Sequence, residues 1–265
     1  MDSPRDAAQG LSDHRSAIAK ITIVTGGGRG IGAATVGRLA TAGHDVVVNF
    51  RTDEAAAEQT ADVVRRAGHR AITVRGDIAV EADVERLFER AATELGPITG
   101  LVNNAGITGP LGAFMDTDTD VFRRVVDINV IGYLLCSQSA ARAMATSRGG
   151  AGGAIVNVSS GAATLGSPGE YVHYAAAKAA IDAMTIGLSK ELGPDGIRVN
   201  SVQPGRIWTT IHADMGDANR PALMNQVAPL RRAGQPDEVA AAIVWLLSDD
   251  ASYTTGAVIR VAGGM

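Results

Sequence analysis

A tyrosine and a lysine four residues apart form the pair in this sequence best suited to acid–base chemistry. Tyr174 and Lys178 lie in an alanine-rich segment, and their spacing places both side chains on one face of a helix. A phenol is a weak base at neutral pH, but an adjacent ammonium group favours the phenolate. The pair therefore predicts a tyrosine that exchanges a proton with a substrate. The alternative is an ordinary helix that carries a buried tyrosine and a surface lysine.

A glycine-rich turn offers a second kind of chemistry, the binding of phosphate. The segment Thr25–Gly32 follows an apolar, β-branched run and precedes a helical pattern that includes Val36 and Leu39. Glycines at such a junction permit a sharp turn and let the backbone approach a pyrophosphate, to which the helix presents free N–H groups. The order of strand, turn and helix predicts a dinucleotide site. A tight turn without a ligand is the alternative.

The end of the second predicted strand indicates which dinucleotide is bound. An enzyme that uses NAD usually carries an acid there, next to the ribose hydroxyls. Asp45 instead begins the strand, which ends at Asn49, Phe50 and Arg51. Arg51 and Arg29 together would hold a 2′-phosphate, so the sequence favours NADP(H) over NAD(H). Two solvated surface arginines are the alternative.

The elements that must position these groups alternate between short β-branched runs and longer amphipathic patterns. This alternation predicts an α/β chain, a single-domain, doubly wound Rossmann fold with a seven-stranded parallel sheet flanked by helices. The expected strands are Lys20–Thr25, Asp45–Phe50, Ala71–Arg75, Gly100–Asn103, Ala154–Ser159, Ile197–Gln203 and Ala257–Val261. Residues 1–18 are expected to form a flexible tail, residues 19–265 a dinucleotide-binding catalytic domain, and the aperiodic segment at about 206–226 a substrate lid.

Charge and composition exclude several classes of function. The formal net charge is −4, whereas nucleic-acid binding needs a basic face, so no nucleic-acid partner is expected. The longest apolar run, Val239–Leu247, is too short to cross a bilayer, and the first residues lack the apolar centre of a secretory signal, so no membrane association is expected. The single cysteine, Cys136, indicates a cytoplasmic protein and a role in core packing.

Seven short motifs occur in a fixed order along the chain. They resemble those of the short-chain dehydrogenases/reductases in their single-domain, "classical" form, and the resemblance runs from about Lys20 to the C-terminus. The matching residues are the Thr-Gly-x-x-x-Gly-x-Gly turn at Thr25–Gly32, Asp77 after the third strand, Asn103-Asn104-Ala105-Gly106 after the fourth, Asn129 in a long helix, Ser160 after the fifth, Tyr174-x-x-x-Lys178, and Pro204-Gly205 after the sixth.

The resemblance implies catalytic roles for four residues. Tyr174 would exchange the hydroxyl proton, Ser160 would hydrogen-bond the substrate oxygen, and Lys178 would hold the ribose and lower the pKa of the tyrosine. Asn129 would anchor a water that leads protons to solvent, and such a relay needs no metal. In one departure from the family, Ser160 precedes Tyr174 by 14 residues, one more than is usual, and the extra residue is expected in the loop at 166–170.

The same resemblance implies a cofactor site. Asp77 would contact the adenine amino group, and Asn104 would pack beside the cofactor. Ile207 and Thr209 would meet the nicotinamide amide, while the two arginines match the branch of the family that prefers NADP. The implied cofactor-binding residues are Gly26, Arg29, Gly30, Ile31, Gly32, Arg51, Asp77, Ile78, Asn104, Ala105, Gly106, Tyr174, Lys178, Pro204, Gly205, Ile207 and Thr209.

Together these features predict an NADP(H)-dependent oxidoreductase that transfers a hydride between nicotinamide and a carbonyl or secondary alcohol. A 3-oxoacyl, sugar or small ketone substrate is expected, and His212 in the lid is a candidate for contact with it. A non-catalytic NADP(H)-binding redox sensor is the alternative, and a methyltransferase is disfavoured because it has no use for the tyrosine–lysine pair. The resemblance also implies a homotetramer built on two long helices, at about 119–146 and 171–192.

Overall fold

Seven strands form one parallel sheet in the order β3-β2-β1-β4-β5-β6-β7. The computed structural model describes residues 20–223 and 227–265. Its strands are β1 (Ile21–Val24), β2 (Asp45–Phe50), β3 (Ala71–Arg75), β4 (Gly100–Asn103), β5 (Gly153–Val158), β6 (Ile197–Pro204) and β7 (Val258–Val261). The predicted α/β fold and seven-stranded parallel sheet are confirmed. Each predicted strand is present, with ends that differ by no more than one residue.

Helices cover both faces of this sheet. They are α1 (Gly30–Thr41), α2 (Glu54–Arg66), α3 (Glu81–Glu94), α4 (Thr119–Val126), α5 (Gly132–Met144), α6 (Ala162–Leu165), α7 (Val172–Leu192), α8 (Ile211–Asp214) and α9 (Pro236–Leu247). On one face α1 packs against α2 and α9, and on the other α3 packs against α5. No helix in the described part of the chain combines the length and apolar character that crossing a bilayer requires.

The sheet separates the two largest apolar clusters of the core. Ile23 and Leu101 belong to the cluster that contains residues of α3, α5 and α7. Their strand neighbours Val24 and Val102 belong to the cluster that contains residues of α1, α2 and α9. Because successive side chains of a strand point to opposite faces, strands buried on both sides are apolar throughout. This double burial explains why the strands could be located from β-branched runs alone.

The sheet has a crevice at the point where its strand order reverses. After β1 the chain adds β2 and β3 on one side, and then returns to place β4 on the other side of β1. The connections after β1 and β4 therefore diverge, and ligands of doubly wound sheets bind in the gap that this leaves at the carboxyl ends of the strands. The glycine turn follows β1, and the three residues Asn104–Gly106 follow β4, so both line this gap.

Two segments beyond the sheet complete the frame of the site. The predicted long helix near 119–146 consists of α4, a π-helical turn at Asp127–Ile131 and α5. The described part of the predicted lid holds the short helix α8 and a 3₁₀ turn at Arg220–Leu223. The predicted tail at 1–18 and lid residues 224–226 lie outside the described residues.

Candidate active site

A cavity of about 550 Å³ opens at the carboxyl ends of the strands. Its lining includes all the residues predicted to act in catalysis or in cofactor binding, except Gly32 and Asn129. Asn129 is hydrogen-bonded to Ile107, and Gly32 packs against the backbone of Gly26; Ile107 and Gly26 both line the cavity. The crevice set by strand order and the site predicted from motifs therefore coincide.

The glycine turn is built so that backbone, without side chains, faces the cavity. Gly26 and Gly30 adopt left-handed conformations, with φ of +62° and +54°, which glycine tolerates at little cost. A Cβ at Gly32 would lie 2.3 Å from the carbonyl oxygen of Gly26, so no larger residue fits there. Arg29 precedes α1 without capping it through its side chain, and the first N–H groups of α1 are thus available to an anion. These features fit the pyrophosphate of a dinucleotide.

Two polar side chains hold the glycine turn against β4. The Asn104 amide nitrogen donates to the carbonyl oxygens of Thr25 and Gly26, at 2.9 and 3.1 Å. The Thr25 hydroxyl accepts from the backbone N–H groups of Asn104 and Ala105, at 2.9 and 3.1 Å. Thr25 was not predicted as a site residue, although it opens the glycine motif. Both side chains fix the spacing of the two walls of the crevice.

Tyr174 and Ser160 meet in the cavity despite their unusual spacing. Ser160 Oγ accepts from the Ala162 N–H at 3.1 Å, and the nearby serine hydroxyl lowers the pKa of the Tyr174 phenol. The connecting loop contains three left-handed residues, Gly166, Ser167 and Gly169. Its tight turns keep the loop compact, so the additional residue does not separate the serine from the tyrosine.

The pKa of Tyr174 shifts in the direction opposite to the one expected from its lysine neighbour. Burial raises this pKa well above its usual value, and the nearby Ser160 hydroxyl offsets only part of the rise. The Lys178 ammonium lies 5.8 Å from the centre of the tyrosine ring. Burial lowers the pKa of Lys178 to about 7, against a smaller opposing effect of Asp182. Desolvation of the phenol therefore dominates its pKa, so Tyr174 is protonated at neutral pH, while Lys178 is only partly charged.

Tyr133 holds the lysine, a contact that spacing did not reveal. Lys178 Nζ donates to the Tyr133 hydroxyl at 3.1 Å and to the Val158 carbonyl oxygen at 2.7 Å. Tyr133 is fully buried, and its own hydroxyl donates to the same carbonyl at 3.1 Å. A tyrosine 45 residues away in sequence carries no local signal of this role. It orients the ammonium group at the floor of the cavity.

Asn129 acts through the backbone that it holds. Its side-chain nitrogen donates to the carbonyl oxygens of Ile107 and Val125, at 2.7 and 3.0 Å, and its side-chain oxygen accepts from the Ile107 N–H at 3.2 Å. The side chain is completely buried. It lies in the π-helical turn, a feature that often marks functional positions in helices. The side chain is thus committed to protein contacts, and the anchoring of a water by Asn129 stays a prediction.

The end of the cavity that contains Asp77 is rich in arginine. Asp77 accepts from Arg124 at 2.6 Å and from the Ala79 N–H at 3.0 Å, and Arg51 lies 3.8 Å away. Partial burial opposes ionisation of Asp77, but these contacts outweigh it and lower its pKa. Arg51 and Arg75 also line a smaller adjoining cleft.

Arg29 and Arg51 are not equivalent, although the sequence suggested that they act together. Arg29 donates to Asp214 of the lid at 2.8 Å, so a carboxylate already neutralises its charge. Arg75 also lies beside Arg51, because its Nε donates to the Arg51 carbonyl oxygen at 3.2 Å, and the part of Arg29 in cofactor binding stays a prediction. Arg75 ends β3 and pairs in register with Phe50 at the end of β2. That register, invisible in a single sequence, brings the two arginines together.

His212 reaches the cavity from the lid. Its Nε2 lies 2.9 Å from the Ile207 carbonyl oxygen, and its buried Nδ1 has no hydrogen-bond partner among the described residues. Burial lowers its pKa, and Arg220 and Arg206 lower it further. The imidazole is therefore neutral at pH 7, and Nδ1 is an acceptor when Nε2 donates to Ile207. No group of three potential metal ligands occurs within residues 20–223 and 227–265.

Comparisons with known proteins agree with this geometry. A family model described as enoyl-(acyl carrier protein) reductase matches residues 26–265. The chain is 48% identical over 244 residues to the uncharacterized oxidoreductase YgfF of Escherichia coli, covering 92% of this chain and 99% of that protein. It is 39% identical over 248 residues to L-rhamnose 1-dehydrogenase (NAD(P)(+)) of Sphingomonas sp., covering 93% and 96%. A short chain dehydrogenase from Burkholderia cenocepacia, solved with NADP, matches with a TM-score of 0.84 and 33% identity, covering 92% of this chain and 97% of that one.

Proposed function

The chain belongs to the short-chain dehydrogenase/reductase family of oxidoreductases, and on this basis we propose that it interconverts a carbonyl compound and a secondary alcohol with NADP(H). The observation that carries the proposal is that Ser160 and Tyr174 line one cavity, close enough for the serine hydroxyl to lower the pKa of the phenol, with Lys178 one helical turn beyond. A hydroxyl and a protonated phenol that converge on one point are suited to bind a carbonyl oxygen and deliver a proton to it.

The chain's own residues would divide the work as follows. Ser160 orients the substrate oxygen towards Tyr174, which gives its proton to that oxygen in reduction and removes it in oxidation. Lys178 lies beside the phenol, can hold or release a proton near neutral pH, and is held in place by Tyr133. A bound nicotinamide cofactor would supply or accept the hydride. The glycine turn and the first N–H groups of α1 would hold its pyrophosphate.

NADP(H) is the cofactor that the arginines favour. A 2′-phosphate carries up to two negative charges, and Arg51 with Arg75 offers two guanidinium groups at the carboxyl ends of adjacent strands. Asp45, the acid near the start of β2, is bound instead to Arg70 at 2.6 Å, at the opposite edge of the sheet. The Burkholderia structure with NADP gives further support.

The alternative of a non-catalytic sensor is not favoured. A sensor needs the dinucleotide site but has no need of a serine, a phenol and a buried ammonium that converge beside it. The substrate class stays a proposal: a 3-oxoacyl compound, a sugar, as the name of the rhamnose dehydrogenase relative suggests, or a small ketone. Assembly as a homotetramer and a cytoplasmic location also stay predictions.

A substrate panel tests the proposed function directly. Ketones, 3-oxoacyl thioesters and aldoses or their alcohols are incubated with the protein and with NADPH, NADP, NADH or NAD, and the nicotinamide absorbance is followed. At least one carbonyl or alcohol is expected to turn over, with kcat/KM higher for the phosphorylated cofactor. Tight binding of NADPH without turnover of any compound would instead favour the sensor.

Replacement of Arg51 tests the choice of cofactor. In Arg51→Gln the KM for NADPH is expected to rise about 10- to 100-fold, because a charge-assisted contact contributes roughly 1.5–3 kcal/mol, whereas the KM for NADH stays within about twofold. Arg66→Gln, an exposed position at the far end of α2, removes the same charge and should change neither constant. Equal losses with both cofactors would contradict a role in binding the 2′-phosphate.

A further inference from the structure

Three charged side chains meet around the loop that leads to Tyr174. Glu170 lies in that loop, Arg206 lies two residues after the end of β6, and Arg220 begins the 3₁₀ turn of the lid. Glu170 and Arg206 both line the cavity. The three side chains carry one negative and two positive charges, so the cluster has a net positive charge.

Glu170 is committed to Arg220. The Arg220 guanidinium contacts Glu170 Oε2, lies 5.5 Å from the centre of the Tyr171 ring and is buried, with a relative exposure of 6%. A buried guanidinium without a carboxylate partner would cost several kcal/mol of folding free energy. The glutamate therefore pairs with Arg220 in preference to Arg206. Glu170 therefore neutralises Arg220 and contributes little to the charge of Arg206.

Arg206 is left as a cation that is incompletely paired. Its closest carboxylate oxygen is Glu170 Oε1 at 3.8 Å, too far for a hydrogen bond, and no other carboxylate of the described residues lies within 4.0 Å of its nitrogens. Its side chain is only 26% exposed, so water solvates it in part. A guanidinium in this position gains from an anion that completes its hydrogen bonds.

The backbone of Arg206 is fixed before any ligand arrives. Its carbonyl oxygen accepts from the Gly234 N–H at 3.0 Å, and Ile207 forms a parallel bridge with the same glycine. The backbone that carries the guanidinium is therefore already ordered. Binding an anion reduces the conformational entropy of the side chain alone.

His212 adds no charge to this end of the cavity. The imidazole is neutral because burial and the two arginines lower its pKa. The net charge available to a ligand is thus a single positive one, which matches a monoanionic carboxylate better than a doubly charged phosphate. His212 Nδ1, which has no hydrogen-bond partner among the described residues, is compatible with a hydroxyl group on the same ligand.

We propose that the substrate of this enzyme carries a carboxylate, which the Arg206 guanidinium binds while the carbonyl or hydroxyl carbon lies at Ser160 and Tyr174. The substrate class is then an oxo-acid and the corresponding hydroxy-acid. This inference rests on the proposed function for the identity of the reacting group. The binding of a carboxylate at Arg206 itself does not depend on turnover.

The binding test uses inert analogues, so that its result is independent of catalysis. Protein saturated with NADPH is titrated by calorimetry with cyclohexanecarboxylate and with cyclohexanecarboxamide, which differ in charge but hardly in shape. The carboxylate is expected to bind at least about 10-fold more tightly. In Arg206→Gln the affinity for the carboxylate should fall about 10- to 100-fold, whereas the affinity for the amide should change less than about twofold.

Two variants control this experiment. Arg66→Gln removes the same charge from an exposed position away from the cavity and should alter neither affinity. Arg206→Lys keeps the charge but loses the planar two-pronged donor, and should give an intermediate affinity for the carboxylate. NADPH binding and thermal unfolding of each variant establish that the fold is intact. Equal affinity for the two analogues, or an equal loss of both in Arg206→Gln, would overturn the inference.

A kinetic series separates this inference from the proposed function. The substrates are 2-oxobutanoate, 3-oxobutanoate, 4-oxopentanoate and 5-oxohexanoate, each with its amide, so that the carboxylate is placed at increasing distance from the carbonyl. Arg206→Gln should raise KM for the best acid about 10- to 100-fold and leave KM for its amide nearly unchanged. If only uncharged ketones turn over and Arg206→Gln does not matter, this inference fails and the proposed function stands. If carboxylates bind through Arg206 but no carbonyl turns over, the proposed function fails alone.

Discussion

Tyr174→Phe is expected to lower kcat for every accepted carbonyl by about 10²- to 10⁴-fold, the usual contribution of a positioned general acid. The substitution removes one oxygen from a buried ring that packs edge-on against Tyr171 at 5.4 Å, so the fold and the shape of the cavity should persist. NADPH binding, measured by its fluorescence, is expected to stay within about threefold of the unsubstituted protein, because the dinucleotide is held mainly elsewhere.

The matched control for this substitution is Tyr253→Phe. Tyr253 is fully exposed and does not line the cavity, so the same chemical change there should leave kcat unaltered. Retention of more than about a tenth of the activity in Tyr174→Phe would show that another group delivers the proton.

The raised pKa of Tyr174 predicts how the rate depends on pH. Burial keeps the phenol protonated at neutral pH, the form that carbonyl reduction requires. Alcohol oxidation requires the phenolate, so its rate should rise with pH while that of reduction falls on the alkaline side.

Gly32→Ala is expected to have the second large effect, through the geometry of the glycine turn. The added Cβ would lie 2.3 Å from the Gly26 carbonyl oxygen and 2.6 Å from the Asn104 amide nitrogen. The added methyl group has no room between the Gly26 backbone and the Asn104 side chain. The turn must therefore open to accommodate it. We expect a loss of about 1–3 kcal/mol in the free energy of unfolding, as for other overpacked sites. NADPH affinity should fall more than about 10-fold, which is a loss of more than about 1.4 kcal/mol in binding free energy.

Gly37→Ala is the control, because it places the same methyl group on the same helix. Nothing lies within 4 Å of a Cβ at Gly37, and alanine favours the helix by about 0.5–1 kcal/mol over glycine. Urea denaturation and NADPH titration of the two variants should therefore give opposite signs for stability and a loss of affinity for Gly32→Ala alone. Normal NADPH affinity in Gly32→Ala would mean that the turn does not cradle the dinucleotide.

The seven strands could be predicted closely because their signal is local. Ile23 and Val24, or Leu101 and Val102, are buried on opposite faces of one sheet, and this double burial demands unbroken apolar runs. The shared helix face of Tyr174 and Lys178 could likewise be predicted, since residues four apart in a helix lie on the same face. The glycine turn was recognisable because a sharp turn before a helix restricts the residue types it can hold.

Contacts between distant parts of the chain were not readable. Tyr133 reaches Lys178 from another helix, and Arg75 reaches Arg51 through strand register. Arg29 was predicted to act with Arg51, yet the lid supplies Asp214 as its partner. No pattern within one segment encodes such pairings in a single sequence.

The amino-acid sequence by itself determined the architecture, the position of the dinucleotide turn and the residues suited to proton transfer, because each of these follows from spacing along one strand, turn or helix. Only the tertiary structure decided the electrostatics of the site. Whether Tyr174 is acidic, which arginines remain free and what charge the substrate end presents depend on burial and on partners far away in sequence. Desolvation and long-range pairing act through space, and these quantities therefore emerge only when the chain is folded.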